Sequence, residues 1–111
     1  MNIEVKPVPR WEWSPAPHEG TRNVEGKLLL RNARVSIAML RFGKDATIHE
    51  HPAPIDIDVV CLDGRGMTSL DGDAAAIREG ERVRWPAGVS HRLWTEDSEM
   101  TTLMIEHVGA P

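Results

Sequence analysis

The sequence predicts an all-β domain, an antiparallel sandwich or barrel, and three observations carry that prediction. Short extended runs alternate with turn residues roughly every eight to twelve positions. No segment sustains the apolar period of a surface helix. Asp71-Gly72, set between two extended runs, is a strong signal for a two-residue hairpin. With 111 residues the chain is read as a single domain. That length is enough to bury a core and too short to divide comfortably.

Taken in order, residues 1–26 are rich in Pro, Trp, Glu and Gly and read as an N-terminal arm with one short strand near residues 3–5. The folded body is expected over about residues 27–108. Residues 27–31 and 33–42 are the first two runs, the second stopped by Gly43-Lys44-Asp45. Residues 57–62 form a third, ended by Asp63-Gly64-Arg65-Gly66. Residues 67–70 and 74–77 flank the hairpin; alanine favours helix, but the tight turn before "AAAI" and Gly80 after it select a strand. Residues 82–85 stop at Pro86, and residues 90–95 and 100–108 complete the set.

The formal net charge is −4, and Arg31, Arg34, Arg41, Arg82 and Arg84 stand singly. This is unlike the clustered basic face that nucleic acid requires, so no nucleic-acid partner is expected. Cys61 has no second cysteine to pair with, which rules out an internal disulfide. The start lacks an apolar signal region, and no run approaches the roughly 18 apolar residues of a membrane span. A soluble cytoplasmic protein with no membrane partner is the expectation.

Chemistry concentrates in "HEHPAPIDIDVV", residues 49–60. His-x-His in a regular extended chain points both imidazoles to one face, which suits a metal ion. Two nitrogens do not close a site, so further ligands must come from elsewhere.

The surrounding spacing resembles that of the cupin superfamily. Its first motif begins with a glycine, five residues and His-x-His; Gly43, "KDATI" and His49-Glu50-His51 follow it without a gap. Its second runs from a glycine through five residues, Pro-x-Gly and two residues to a histidine. Gly80, "ERVRW", Pro86-Ala87-Gly88, "VS" and His91 match it, with Thr95 where the family has an asparagine. The resemblance spans residues 43–95 and implies a small antiparallel double-stranded β-helix, the jelly-roll barrel. It implies one divalent transition metal ion per chain (Fe, Zn, Ni, Mn or Cu) held by His49, His51 and His91. It also implies a small-molecule ligand in the barrel and a homodimer in which the arm crosses to the partner.

The departure is the family's glutamate. With six residues between it and Gly64, the glutamate's place falls on Ile57, which cannot bind metal, while a four-residue spacer after His51 reaches Asp56. If Ile57, Val59 and Cys61 face inward, Asp56 and Asp58 face out. That register leaves three histidines as the ligand set, with Asp56 as the rival fourth ligand. Thr95 is then expected to pack and hydrogen-bond, not to ligate. His107 and His18 read as structural or exposed. Trp85 and Trp94 read as core, interface or ligand wall, Met39, Met67, Met100 and Met104 as core filler, and Cys61 as a small buried hydrophobe.

The resemblance implies a metal-dependent enzyme, of dioxygenase, isomerase or decarboxylase type, acting on a small anionic molecule. The other expectation is a non-enzymatic module that binds or senses a small ligand. Asp56 or Glu50 would serve as an acid/base group only by turning inward.

Overall fold

The computed structural model describes residues 1–16 and 19–109, and His18 lies outside them. The described residues contain eight strands and no helix: β1 (Arg10–Pro15), β2 (Arg22–Arg31), β3 (Ser36–His51), β4 (Ile57–Leu70), β5 (Asp73–Arg78), β6 (Arg82–Trp85), β7 (His91–Trp94) and β8 (Met100–Glu106). Every pairing is antiparallel.

The two long strands close the barrel. Residues 36–42 of β3 pair with β8, and residues 47–51 pair with β7. In β4, residues 57–64 pair with β8 and residues 67–70 with β7. The ring β3–β7–β4–β8 is therefore complete, with β1 and β2 extending one side and β5 and β6 flanking β4. Full closure leaves the ring without an unpaired edge. The fold is an all-β jelly-roll barrel.

Two expected strand ends are bends inside continuous strands. Gly43-Lys44-Asp45 does not stop β3, which runs on to His51 with Asp45 at a φ of 50°. Gly64 does not stop β4; its φ of 78° accompanies a register shift between Cys61 and Asp63. A Cβ at Gly64 would stand 2.0 Å from the Glu99 carbonyl oxygen, so this crossing of strands requires glycine. The strand expected near residues 3–5 is absent, and β1 and the start of β2 lie within the stretch read as an arm. The hairpin at Asp71-Gly72 forms as expected, with both residues at positive φ, 47° and 88°.

Alternation along the strands fills the interior. Leu40 and Phe42 from β3, Ile57, Val59 and Cys61 from β4, Trp85, Leu93 and Met100 are all buried. The opposite parity of the same strands faces outward. In β4 that parity includes Asp58, which is also buried: Arg84 on neighbouring β6 grips its carboxylate through Nε (3.1 Å) and Nη2 (2.7 Å). His107 Nε2 adds a contact at 2.8 Å. Arg84, opposed by desolvation and assisted by His107, holds the Asp58 carboxyl down at about 2. Asp58 is thus paired on the outer sheet face, and His107 is structural.

Candidate functional site

His51 reaches the interior because β3 bulges. Ala46 and Ile48 already occupy the inward parity of this strand, and both are buried. Regular alternation would therefore turn both His49 and His51 outward. A register shift between the pairs Ile48–Leu93 and His51–His91 inserts an extra residue and re-aims His51. His49 stays exposed, packed over Gly20, whose added Cβ would sit 2.9 Å from the His49 Cβ.

His91 arrives from β7 after the turn at residues 86–90. The Val89 amide bonds to the Pro86 carbonyl at 3.2 Å, and the Gly88 amide to the Ala53 carbonyl at 2.8 Å. Asp56 belongs to this turn: its Oδ1 accepts from the Ala87 amide at 2.8 Å, and Arg84 Nη1 lies 3.7 Å from its Oδ2. Asp56 braces the loop that presents His91 and is not directed at the histidines. Glu50 is exposed and does not turn inward either.

The rings of His51 and His91 meet edge to face, with centroids 4.7 Å apart. Nδ1 of His51 lies 2.8 Å from the His49 carbonyl oxygen. A neutral ring donating there carries its lone pair on Nε2. Trp85 lies flat against His91, with centroids 4.0 Å apart and planes 9° from parallel, and its Nε1–H donates to Thr68 Oγ1 at 3.0 Å. Thr68 Oγ1 in turn donates to the Arg92 carbonyl at 3.0 Å, tying the indole to the strand that carries His91. Burial first, and His51 second, push the His91 pKa down to about 4. A weaker pull from the Val89 backbone acts the other way without giving Nδ1 a hydrogen-bond partner. His91 is therefore a neutral imidazole at neutral pH.

These two histidines line a cavity of about 560 Å³ with Trp85, Leu40, Ile48, Ile57 and Met104. That size suits a small organic ligand. Arg10, Arg31 and Glu106 also line it. The sequence alone does not reveal these three, because their place beside the cavity depends on strand register and bulges. A separate cleft of about 640 Å³ is lined by Asn23, Glu25, Arg41, Asp63 and Glu99. Its arginine is already paired with Glu25 at 2.8 Å, and no histidine reaches it.

The remaining residues fall as their types suggest. Thr95 is buried; its Oγ1 accepts from the Ala46 amide (3.0 Å) and donates to the Gly43 carbonyl (2.6 Å). Cys61 is buried and desolvation raises its pKa, so its thiol is an inert packing group. Trp94 is half-buried beneath the Arg92 guanidinium, 4.2 Å from the ring centroid, and does not line the cavity.

The sequence matches no protein-family model and no curated protein. Solved structures are informative. The polyketide cyclase RemF from Streptomyces resistomycificus superposes with a TM-score of 0.83 at 15% identity, over 97% of this chain and 80% of that one. The cupin-2 domain Rru_A2000 from Rhodospirillum rubrum gives 0.78 at 17% identity, over 93% and 77%. A cupin 2 conserved barrel domain protein from Leptotrichia buccalis gives 0.73 at 25% identity, over 83% of this chain and 44% of that one.

The chain has the cupin fold. In this chain the second motif delivers His91 to the cavity, and the first delivers His51. Among the described residues no group of three or more His, Cys, Asp or Glu side chains is placed to hold a metal ion. His49, although its ring centroid lies 5.5 Å from that of His51, is on the exposed side of the bulge. Of the expected three-histidine set, His51 and His91 stand at the cavity and His49 beside them on the exposed side, while the apolar Ala46 and Ile48 hold the inner face of β3.

Proposed function

We propose that this cupin is a small-molecule enzyme, with the barrel cavity as its working site and a small anionic organic molecule as its substrate. The reaction class is proton transfer, made by His51 and His91 at the cavity wall. The carrying observation is the meeting of the two imidazoles beside an apolar cavity, with His51 hydrogen-bonded to the His49 carbonyl. That bond fixes the orientation of the His51 ring at the cavity wall, where an imidazole can exchange a proton with a ligand. His91, held neutral by burial, offers a hydrogen bond without adding charge, and the Trp85 stack fixes its plane. The apolar wall excludes water and strengthens both interactions. Removal of a proton α to a carbonyl opens cyclisation and isomerisation, delivery of a proton to an enolate completes a decarboxylation, and a polyketide cyclase is among the similar structures.

A metal-dependent version of this reading needs His49 as a third ligand, and the exposure of His49 argues for the two-histidine version. A non-enzymatic binding module is the second reading, favoured by the weak basicity of a ring held near pKa 4. Deuterium wash-in separates the readings. Carbonyl acids incubated with the protein in heavy water should exchange their α-protons, and His51→Ala should abolish the exchange. Tight binding without exchange on any acid selects the binding module. Metal content of His49→Ala and His51→Ala protein decides the third point. Equal loss of a bound metal in both would restore the three-histidine site.

We also propose a homodimer formed through the arm. Met1, Ile3 and Val5 alternate with Asn2, Glu4 and Lys6, and all three apolar side chains are exposed. They precede β1, an edge strand of the sheet. Such a segment gains burial by lying on a second copy.

A further inference from the structure

The inner face of the β1–β2–β3–β8–β4 side of the barrel is graded, and the cross-strand register shows how. One row runs Arg31–Ser36–Glu106–Ile57–Trp85 across β2, β3, β8, β4 and β6. It ends on the indole that stacks against His91. The adjacent row runs Arg10–Leu28–Ala38–Met104–Val59. Both rows therefore start with an arginine on the β1–β2 side and become apolar toward the histidines. Arg31 faces the same way as Leu28, three residues earlier, because β2 shifts register between Leu28 and Leu30. Neither arginine has an ion pair or a side-chain hydrogen bond among the described residues, although the chain carries a net charge of −4. Glu106, which also lacks a partner, lies between Ser36 and Ile57 in its row and half-buried along the cavity wall.

From this gradient we infer that the cavity selects monocarboxylates with an apolar body. Arg10 and Arg31 hold the carboxylate at the rim, the body lies along Met104 and Ile57, and the far end meets His51 and His91. A guanidinium fork matches a carboxylate in shape and charge, and two unpaired forks at one rim give the anion a single place to sit. Glu106 sets the second half of the specificity. Its carboxylate, beyond the arginines, repels a second negative charge on the ligand body and so disfavours dicarboxylates. The inference rests on the cavity being the ligand site and adds which acids enter it and which residues choose them.

Calorimetric titration of the full chain at neutral pH with trans-cinnamate, cinnamamide and 4-carboxycinnamate tests it. Cinnamate should bind at least about tenfold tighter than the amide, the difference a charge-assisted pair makes. Arg31→Met and Arg10→Met should each weaken cinnamate binding more than cinnamamide binding and so shrink that ratio. The dicarboxylate should bind more weakly than cinnamate and recover in Glu106→Gln. Equal affinity for acid and amide, or a ratio that survives in both arginine variants, overturns the inference and leaves the cavity as a ligand site. Failure of all three probes to bind the wild-type protein removes the cavity reading itself, and the inference falls with it.

Discussion

Acid should destabilise this protein through His91 before it reaches any carboxylate pair. The perturbation is a drop in pH from 7 to 4. Above about pH 6.5 His91 is neutral in both folded and unfolded chains and contributes nothing to the pH dependence. Below that, the unfolded chain takes up a proton at the ordinary pKa of 6.5, while the folded chain resists until about 4. Folding stability therefore falls as pH is lowered through this window. The gap between 6.5 and about 4, at 1.36 kcal/mol per pKa unit, is worth about 3 kcal/mol. Against a typical domain stability of about 5–15 kcal/mol, that is a large fraction. Urea unfolding followed by tryptophan fluorescence, in buffer containing a chelator, reads it directly. His91→Phe keeps an aromatic ring against Trp85 and removes the titrating group. The wild type should lose about 2–3 kcal/mol more than this variant between pH 7 and 4.5. Identical pH slopes for the two proteins would show that His91 does not carry the acid sensitivity.

Three other perturbations have definite expectations. Asp58 acts in a lower window: its pKa of about 2 gives stability that is present above 3.8 and lost as pH falls toward 2, so Asp58→Asn should flatten the acid limb below pH 4 and leave the His91 limb intact in the same titration. Thr95→Val strands the Ala46 amide and the Gly43 carbonyl in a buried place and should cost about 2 kcal/mol by urea unfolding, whereas Thr95→Ser should recover most of it. Removal of residues 1–9 should convert a dimer to a monomer by light scattering at micromolar concentration; a full-length monomer there would rule out the arm as an interface.

Strand content and the hairpin were legible because alternation and Asp71-Gly72 depend only on neighbours in sequence. The runs of β5 and β6 lie where the turn residues place them. Strand continuity was not legible. Gly64 and Asp45 carry the same signature as turn residues, since a strand crossing between two sheets needs the same positive φ as a chain reversal. The histidines show the limit most sharply. His-x-His predicts a shared face only if the strand alternates without a break, and the bulge at Ile48–His51 depends on the partner strand β7. His91, by contrast, follows a turn set by Pro86 and Gly88, and its inward position was readable from the motif. Asp56 and Asp58 stayed away from the histidines because each has a structural partner, the Ala87 amide and the Arg84 guanidinium, that no local pattern reveals. Arg31 and Glu106 gained their places from register alone.

Ligand that meets His51 and His91 in the barrel cavity must perturb their ring nitrogens, which imidazole nitrogen NMR reads. Protein labelled with ¹⁵N at histidine would be titrated with the tightest-binding carboxylate at neutral pH. The ring nitrogens of His51 and His91 should shift in step with occupancy, while those of His107, paired with Asp58 on the outer face, stay fixed. Saturation of binding with both cavity histidines unmoved would contradict it and place the ligand elsewhere on the molecule.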